Sequence, residues 1–132
     1  MTITRYPSDF ANFSEVIRVD GPGTWIHVSG QVGFDENMKV VEGGVAAETQ
    51  ATFDLIEKSL QKAGGELTDI VRITVYMTDL ADYGEFSQVR TERCGDKVPT
   101  SAAVGVASLL VGASIEIDAV AFIPDGAEPG AS

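Results

Sequence analysis

The sequence predicts an α+β fold, a mixed β-sheet covered on one face by two helices. Three observations predict it. Apolar residues recur at helical spacing over residues 45–63, residues 70–78 and 114–123 alternate with the period of two that marks strands, and further β segments lie at both ends of the chain. With 132 residues and 44% hydrophobic content, the chain has the size of one ordinary domain that buries a core without staples.

Taken in order, residues 16–19 and 24–29 read as two strands around Asp20-Gly21-Pro22-Gly23, a turn signal, so a hairpin is expected. If the extended state continues through Gly30, Ile26, Val28 and Val32 share one face, and Trp25, His27, Ser29 and Gln31 share the other. Asp35-Glu36-Asn37 reads as a turn, residues 38–41 as a short edge strand, and Gly43-Gly44 as the approach to a helix. That helix spans 45–63: Thr49, Phe53, Ile56, Leu60 and Ala63 lie at helical spacing, Lys58 and Lys62 come late, and Gly64-Gly65 follow the end.

In the next strand Val71, Ile73, Val75 and Met77 alternate with Arg72, Thr74, Tyr76 and Thr78. A second helix starts at Leu80 or Asp82 and runs to Cys94, with Tyr83, Phe86, Val89 or Arg90, and Arg93 on related faces. Pro99 opens a strand over 100–106, and 114–123 is the last one. Residues 1–123 thus form one domain, and the Gly-, Pro- and Ala-rich stretch 124–132 is expected to be a disordered tail. The order β-β-(β)-α-β-α-β-β provides no third helix for the second sheet face, so self-association is the physical expectation.

Nine basic against twenty acidic residues give a net charge of −11, which disfavours nucleic acid as a partner. No apolar run approaches the length of a membrane helix, so no membrane partner is expected. A single cysteine and an N-terminus without signal-peptide character lead to the expectation of a cytoplasmic protein.

The last strand carries the most informative side chains. Ile115, Ile117, Ala119, Ala121 and Ile123 face one way, while Glu116 and Asp118 share the other side with Val120 and Phe122. Two readings are open: a solvated rim or salt-bridged pair, or a partly buried carboxylate at a subunit interface that positions water or moves a proton. His27 is the only histidine, and no Cys or carboxylate stands at a spacing that completes a zinc site with it, so no metal is expected. Cys94, without a nucleophile motif around it, reads as structural. Ser29-Gly30-Gln31-Val32-Gly33 lacks phosphate-loop spacing, and its glycines fit a bulge or the close approach of a ligand or another subunit. Arg90 and Arg93 are expected to be exposed and paired with the chain's own carboxylates, with a carboxylate ligand as the alternative.

Three stretches, Trp25-Ile26-His27-Val28-Ser29-Gly30-Gln31-Val32, residues 69–80 (DIVRITVYMTDL) and residues 115–121 (IEIDAVA), resemble the Rid (YjgF) family in order and spacing over residues 13–123. The resemblance implies a chorismate-mutase-like α+β fold, a homotrimer with ligand clefts between adjacent subunits, and cofactor-free hydrolysis of reactive imines and enamines to a keto acid and ammonia.

The family's signature is an arginine in a Pro-x-Arg-Ser strand that clamps the substrate carboxylate. Here the stretch begins Pro99-Thr100-Ser101-Ala102, with Ser101 at the arginine position and Gly105 where a Glu is usual, so the resemblance places this chain in a branch without that clamp. Exchanging a bidentate guanidinium for a hydroxyl costs on the order of 2–5 kcal/mol of affinity for a carboxylate. Phe13 stands where a cleft tyrosine is common and Ser87 where an asparagine is frequent, whereas Glu116, Ser29 and Gly30 match the family's cleft. The implied site is therefore Glu116 for proton transfer or water positioning, hydrogen bonds from Ser29, Gly30, Thr100 and Ser101, Ser87 at the asparagine position, and an apolar wall of Phe13 and Trp25. A small-molecule substrate without cofactor is the leading expectation. A non-catalytic ligand-binding or regulatory trimer is the alternative, and ribonuclease activity is disfavoured by the charge.

Overall fold

The computed structural model describes residues 3–127 and Gly130. In chain order its elements are β1 (Ile3–Pro7), β2 (Ser14–Val19), β3 (Gly23–Gln31), α1 (Gly44–Lys62), β4 (Ile70–Met77), α2 (Tyr83–Cys94), β5 (Thr100–Gly105) and β6 (Ile115–Pro124). Strands β3, β6, β4 and β5 lie side by side in that order; β4 pairs parallel with β5, and the other two pairings are antiparallel. This is the expected mixed sheet. The parallel pair follows from α2, which carries the chain from the end of β4 back to the start of β5.

Period-two alternation in β4 and β6 turns Ile73, Val75, Met77, Ile115, Ile117, Ala119 and Ala121 into the core, each at most 2% exposed. Onto this face α1 lays Phe53, Ile56 and Leu60, and α2 lays Phe86 and Val89. The spacing that predicted α1 is the spacing of its buried residues. Helix α1 stops where Gly64 takes a left-handed φ of 88°, which lets Gly64 and Gly65 donate to the carbonyls of Gln61 and Leu60.

Three expectations need correction. The first is the hairpin: β2 pairs with β1, from Ile3↔Val19 to Pro7↔Ser14, and β3 pairs with β6. The Asp20–Gly23 turn therefore carries the chain between two sheets. β1 escaped the reading because its two half-buried positions are Ile3 and Arg5, and the Arg5 guanidinium donates to the carbonyl of Thr68 instead of meeting water. The second is the edge strand at 38–41, which reduces to a single bridge, Phe34↔Val40. The Asp35 carboxylate accepts from the amides of Asn37 and Lys39 and curls the segment into a turn.

The third concerns the end of the chain. Pro124 continues β6, Asp125 donates to the carbonyl of Pro22, and Gly130 donates to the buried carboxylate of Asp69. The remaining residues of the predicted tail, 128–129 and 131–132, lie outside the described residues.

The sheet face away from the helices has no cover among the described helices. It carries Trp25 and His27 of β3, Thr74 and Tyr76 of β4, and Glu116, Asp118 and Val120 of β6. Val16, Trp25 and Val104 are among the exposed large apolar side chains.

Candidate functional site

The residues singled out from the sequence fall into three groups. The first surrounds Glu116. Between Val28 and Gln31 the register of β3 against β6 shifts, so Ser29 and Gly30 form a bulge in front of β6. A Cβ on Gly30 would collide with Oε2 of Glu116, so only glycine lets this carboxylate rest against the β3 backbone. Ser29 is exposed on the same bulge. Gly30 and Glu116 line a depression of about 240 Å³ whose other walls include Val32, Phe34, Met38 and Val111. Met38 and Val111 are the non-glycine residues with positive φ among the described residues, at 61° and 54°. For β-branched Val111 this conformation costs roughly 1–3 kcal/mol, strain of the kind that gathers at functional sites.

Tyr76 stands opposite Glu116 in the sheet and donates from its hydroxyl to Oδ2 of Asp118 at 3.3 Å. The charge of Asp118 holds this phenol above the ordinary tyrosine value, helped by desolvation, by the hydrogen bond and by the charge of Glu116; Arg72 pulls the other way. Tyr76 is a site neighbour that sequence reasoning did not name. The alternation in β4 and β6 puts it on the same face as the two carboxylates, but the register of the two strands is set only by the fold.

The second group is Trp25 and Thr100, which line a depression of about 220 Å³ together with Ile17, Val19, Arg72 and Val120. Trp25 stays 52% exposed while its ring packs on Phe122 with centroids 4.8 Å apart. The Thr100 hydroxyl donates to the carbonyl of Val71, which leaves its lone pairs free to accept. Trp25 and Thr100 thus share a largely apolar depression that includes neither Phe13, the other expected wall residue, nor Glu116.

The third group gathers at Arg90, and here the structure overturns an expectation. Arg90 is 0% exposed and forms no ion pair among the described residues. Its Nη1 donates to Ser101 Oγ at 3.2 Å, and its Nη2 donates to Ser87 Oγ at 3.1 Å and Tyr83 Oη at 3.3 Å. The rings of Phe86, Phe13 and Tyr83 lie 5.0, 5.7 and 5.7 Å from the guanidinium carbon. Phe13, Ser87 and Ser101 thus meet around a residue that was expected at the surface. Arg93, three residues on, behaves as expected and binds Asp54 at 2.9 Å and Glu57 at 3.8 Å. The difference is angular: Arg90 shares the inward stripe of Tyr83, Phe86 and Ser87, whereas Arg93 points along the seam with α1.

These groups do not converge within the chain. Ser101 stands opposite Ile73, whose side chain is in the core, so it points to the helix side of the sheet. Glu116, opposite Tyr76, points to the open side. His27 is exposed on β3 across from Val120, and Cys94 is buried, its thiol pushed by burial up to about 11. Among the described residues no group of three or more His, Cys, Asp or Glu side chains has the geometry to hold a metal ion.

Comparison with known proteins fits this architecture. A RutC family protein of Pyrococcus abyssi is 33% identical over 88% of this chain and 90% of its own. The 2-iminobutanoate/2-iminopropanoate deaminase of Rattus norvegicus is 32% identical over 92% of this chain and 87% of its own. The crystal structure of RidA from an Antarctic Psychrobacter superimposes with a TM-score of 0.73 at 33% identity, covering 93% of this chain and 99% of that one. Residues 3–123 match the family described as Endoribonuclease L-PSP, and the chain therefore belongs to that family, which includes the Rid, YjgF and RutC proteins.

Proposed function

We propose that the protein hydrolyses a small reactive imine or its enamine tautomer, without cofactor, in clefts formed between adjacent copies of a homotrimer. The observation that carries this reading is the Glu116 carboxylate resting against a backbone bared by Gly30, at the mouth of an apolar depression. The relatives named as 2-iminobutanoate/2-iminopropanoate deaminases support it. In this mechanism Glu116 takes a proton from a water molecule as the water oxygen bonds to the imine carbon. The C=N pair moves to nitrogen, which receives that proton to give a carbinolamine. The carboxylate then carries the hydroxyl proton to nitrogen, the C–N bond breaks, and ammonia and the carbonyl product leave.

Assembly enters because Ser101 and Glu116 lie on opposite faces of one sheet. A neighbouring copy that covers the open face brings the Arg90–Ser101 side of one protomer towards the Glu116 side of the next. Phe13 and Trp25 then supply apolar walls, while Ser29, Gly30, Ser87 and Thr100 supply polar contacts. The net charge of −11 supports a small-molecule substrate over RNA.

The direct test generates 2-iminobutanoate in situ with an amino-acid oxidase and follows imine loss and ammonia release with and without the protein. Acceleration by the natural protein is expected, with a loss of about 100-fold or more in Glu116→Gln. Unchanged turnover in that variant sinks the role of Glu116. A ligand that stabilises the protein but is recovered unchanged assigns the cleft to binding alone. Light scattering that shows a stable monomer at working concentration removes the shared cleft.

A further inference from the structure

We propose that Arg90 is the residue that reads the carboxylate of the ligand, acting through the hydroxyls of Ser101, Ser87 and Tyr83. A guanidinium stays charged at any pH a protein survives, and burying that charge is costly unless an anion compensates it. The chain has twenty Asp and Glu residues, and Arg93 on the same helix takes two of them, yet Arg90 has only neutral hydroxyl partners among the described residues. Its Nε, also buried, has no hydrogen-bond partner among the described residues. No compensating anion stands beside it among the described residues.

The partners show where that anion goes. Each hydroxyl that accepts from the guanidinium has its own proton free to point elsewhere. Ser101, Ser87 and Tyr83 are each only partly buried, so these protons reach the surface directly above a buried positive charge. Hydroxyl donors polarised from behind by a cation form a subsite for a small anion. The ring of Phe13 flanks the same guanidinium and limits the subsite to a compact group. That the anion is the carboxylate of a 2-imino acid or its 2-keto product rests on the function proposed above; that the subsite binds an anion does not.

The position has a consequence for specificity. A guanidinium projecting from residue 101 would itself contact a carboxylate, whereas here it arrives from α2 and stands one hydroxyl further back. The subsite therefore keeps its charge preference while leaving room at Ser101 for a bulkier ligand than a direct clamp accommodates.

The experiment measures binding of 2-oxobutanoate and of its neutral amide by calorimetry and thermal shift, independently of turnover. The natural protein is expected to bind the acid at least tenfold more tightly than the amide. Arg90→Met is expected to abolish that preference while folding as well as the natural protein, because it removes an uncompensated buried charge. If Arg90→Met does not fold, the double variant Arg90→Met/Ser101→Arg returns the guanidinium from the neighbouring strand and is expected to restore the preference. Equal binding of acid and amide by the natural protein, binding of neither at tens of millimolar, or a preference that survives in folded Arg90→Met overturns the proposal. Preference for the acid without any imine turnover leaves the anion subsite standing and refutes only the hydrolytic function.

Discussion

The two faces of the four-stranded sheet use the same alternating strands for opposite purposes. On the covered face every second residue of β4 and β6 is apolar, all but Ile123 buried, and the helices seal it so closely that Phe53, Ile56, Leu60 and Phe86 are 0% exposed. On the open face the intervening positions hold Tyr76, Glu116 and Asp118, coupled by a hydrogen bond and by charge, beside depressions walled with apolar side chains. A strand with period two carries a stabilising face and a chemical face in one segment. Mutations that pass through the sheet should therefore separate stability from function residue by residue.

The sharpest contrast is between Phe53 and Glu116. Phe53→Ala leaves a cavity under α1 and is expected to cost about 3–5 kcal/mol of stability, read as a fall in the denaturant midpoint. Glu116→Gln, isosteric and half-exposed, is expected to leave that midpoint within about 0.5 kcal/mol while turnover falls about 100-fold. Comparable losses of stability in both variants would break the division of labour between the faces.

Gly30→Ala sharpens the same contrast at one atom. Its Cβ would displace the Glu116 carboxylate, the flexible end of a side chain, so the protein is expected to fold and to lose about tenfold in turnover through misplacement alone. Ser29→Ala, at the exposed neighbour on the bulge, is the control and is expected to leave folding unchanged. An alanine at 30 without effect on turnover would separate the bulge from the chemistry.

The covered face was far more legible in the sequence than the site. Helix α1 and strands β4 and β6 emerge within about one residue of their observed bounds because burial imposes the period that pattern reading detects. The pairing partner of β2 was not legible: a Gly-Pro-Gly turn signals reversal, and nothing local says whether the next strand stays in the same sheet. Glu116 stood out as a charge on an apolar strand, and Gly30 as a strand glycine. Arg90 was misread for a physical reason. Composition makes an arginine among twenty carboxylates look like a surface partner, and only the packing of α2 against β5 turns its charge inward. The family resemblance pointed to position 101 for a guanidinium; in the fold the Arg90 guanidinium reaches the Ser101 hydroxyl from α2.

The smallest expected effect probes the dryness of the covered side through its one thiol. Cys94 is buried, and burial lifts its pKa from an ordinary 9.0 to about 11, although the charges of Arg90, Arg93 and Arg5 pull it down. Because the folded pKa is the higher one, the neutral thiol contributes stability that is fully present below about pH 9 and is lost as pH rises towards about 11. Between about pH 8 and pH 10 this amounts to roughly 1 kcal/mol, measurable as a fall in the denaturant midpoint that Cys94→Ala abolishes. As the chain has a single cysteine, the difference in ultraviolet absorbance between the natural protein and Cys94→Ala follows this thiolate, because the three tyrosines contribute equally to both. Arg90→Met removes one of the positive charges that hold the thiol down, so its ionisation is expected to move to still higher pH. A titration unmoved by that substitution would mean that the charge of Arg90 is already neutralised by an anion in the isolated protein, and the contrast between a dry covered face and a chemical open face would have to be redrawn around it.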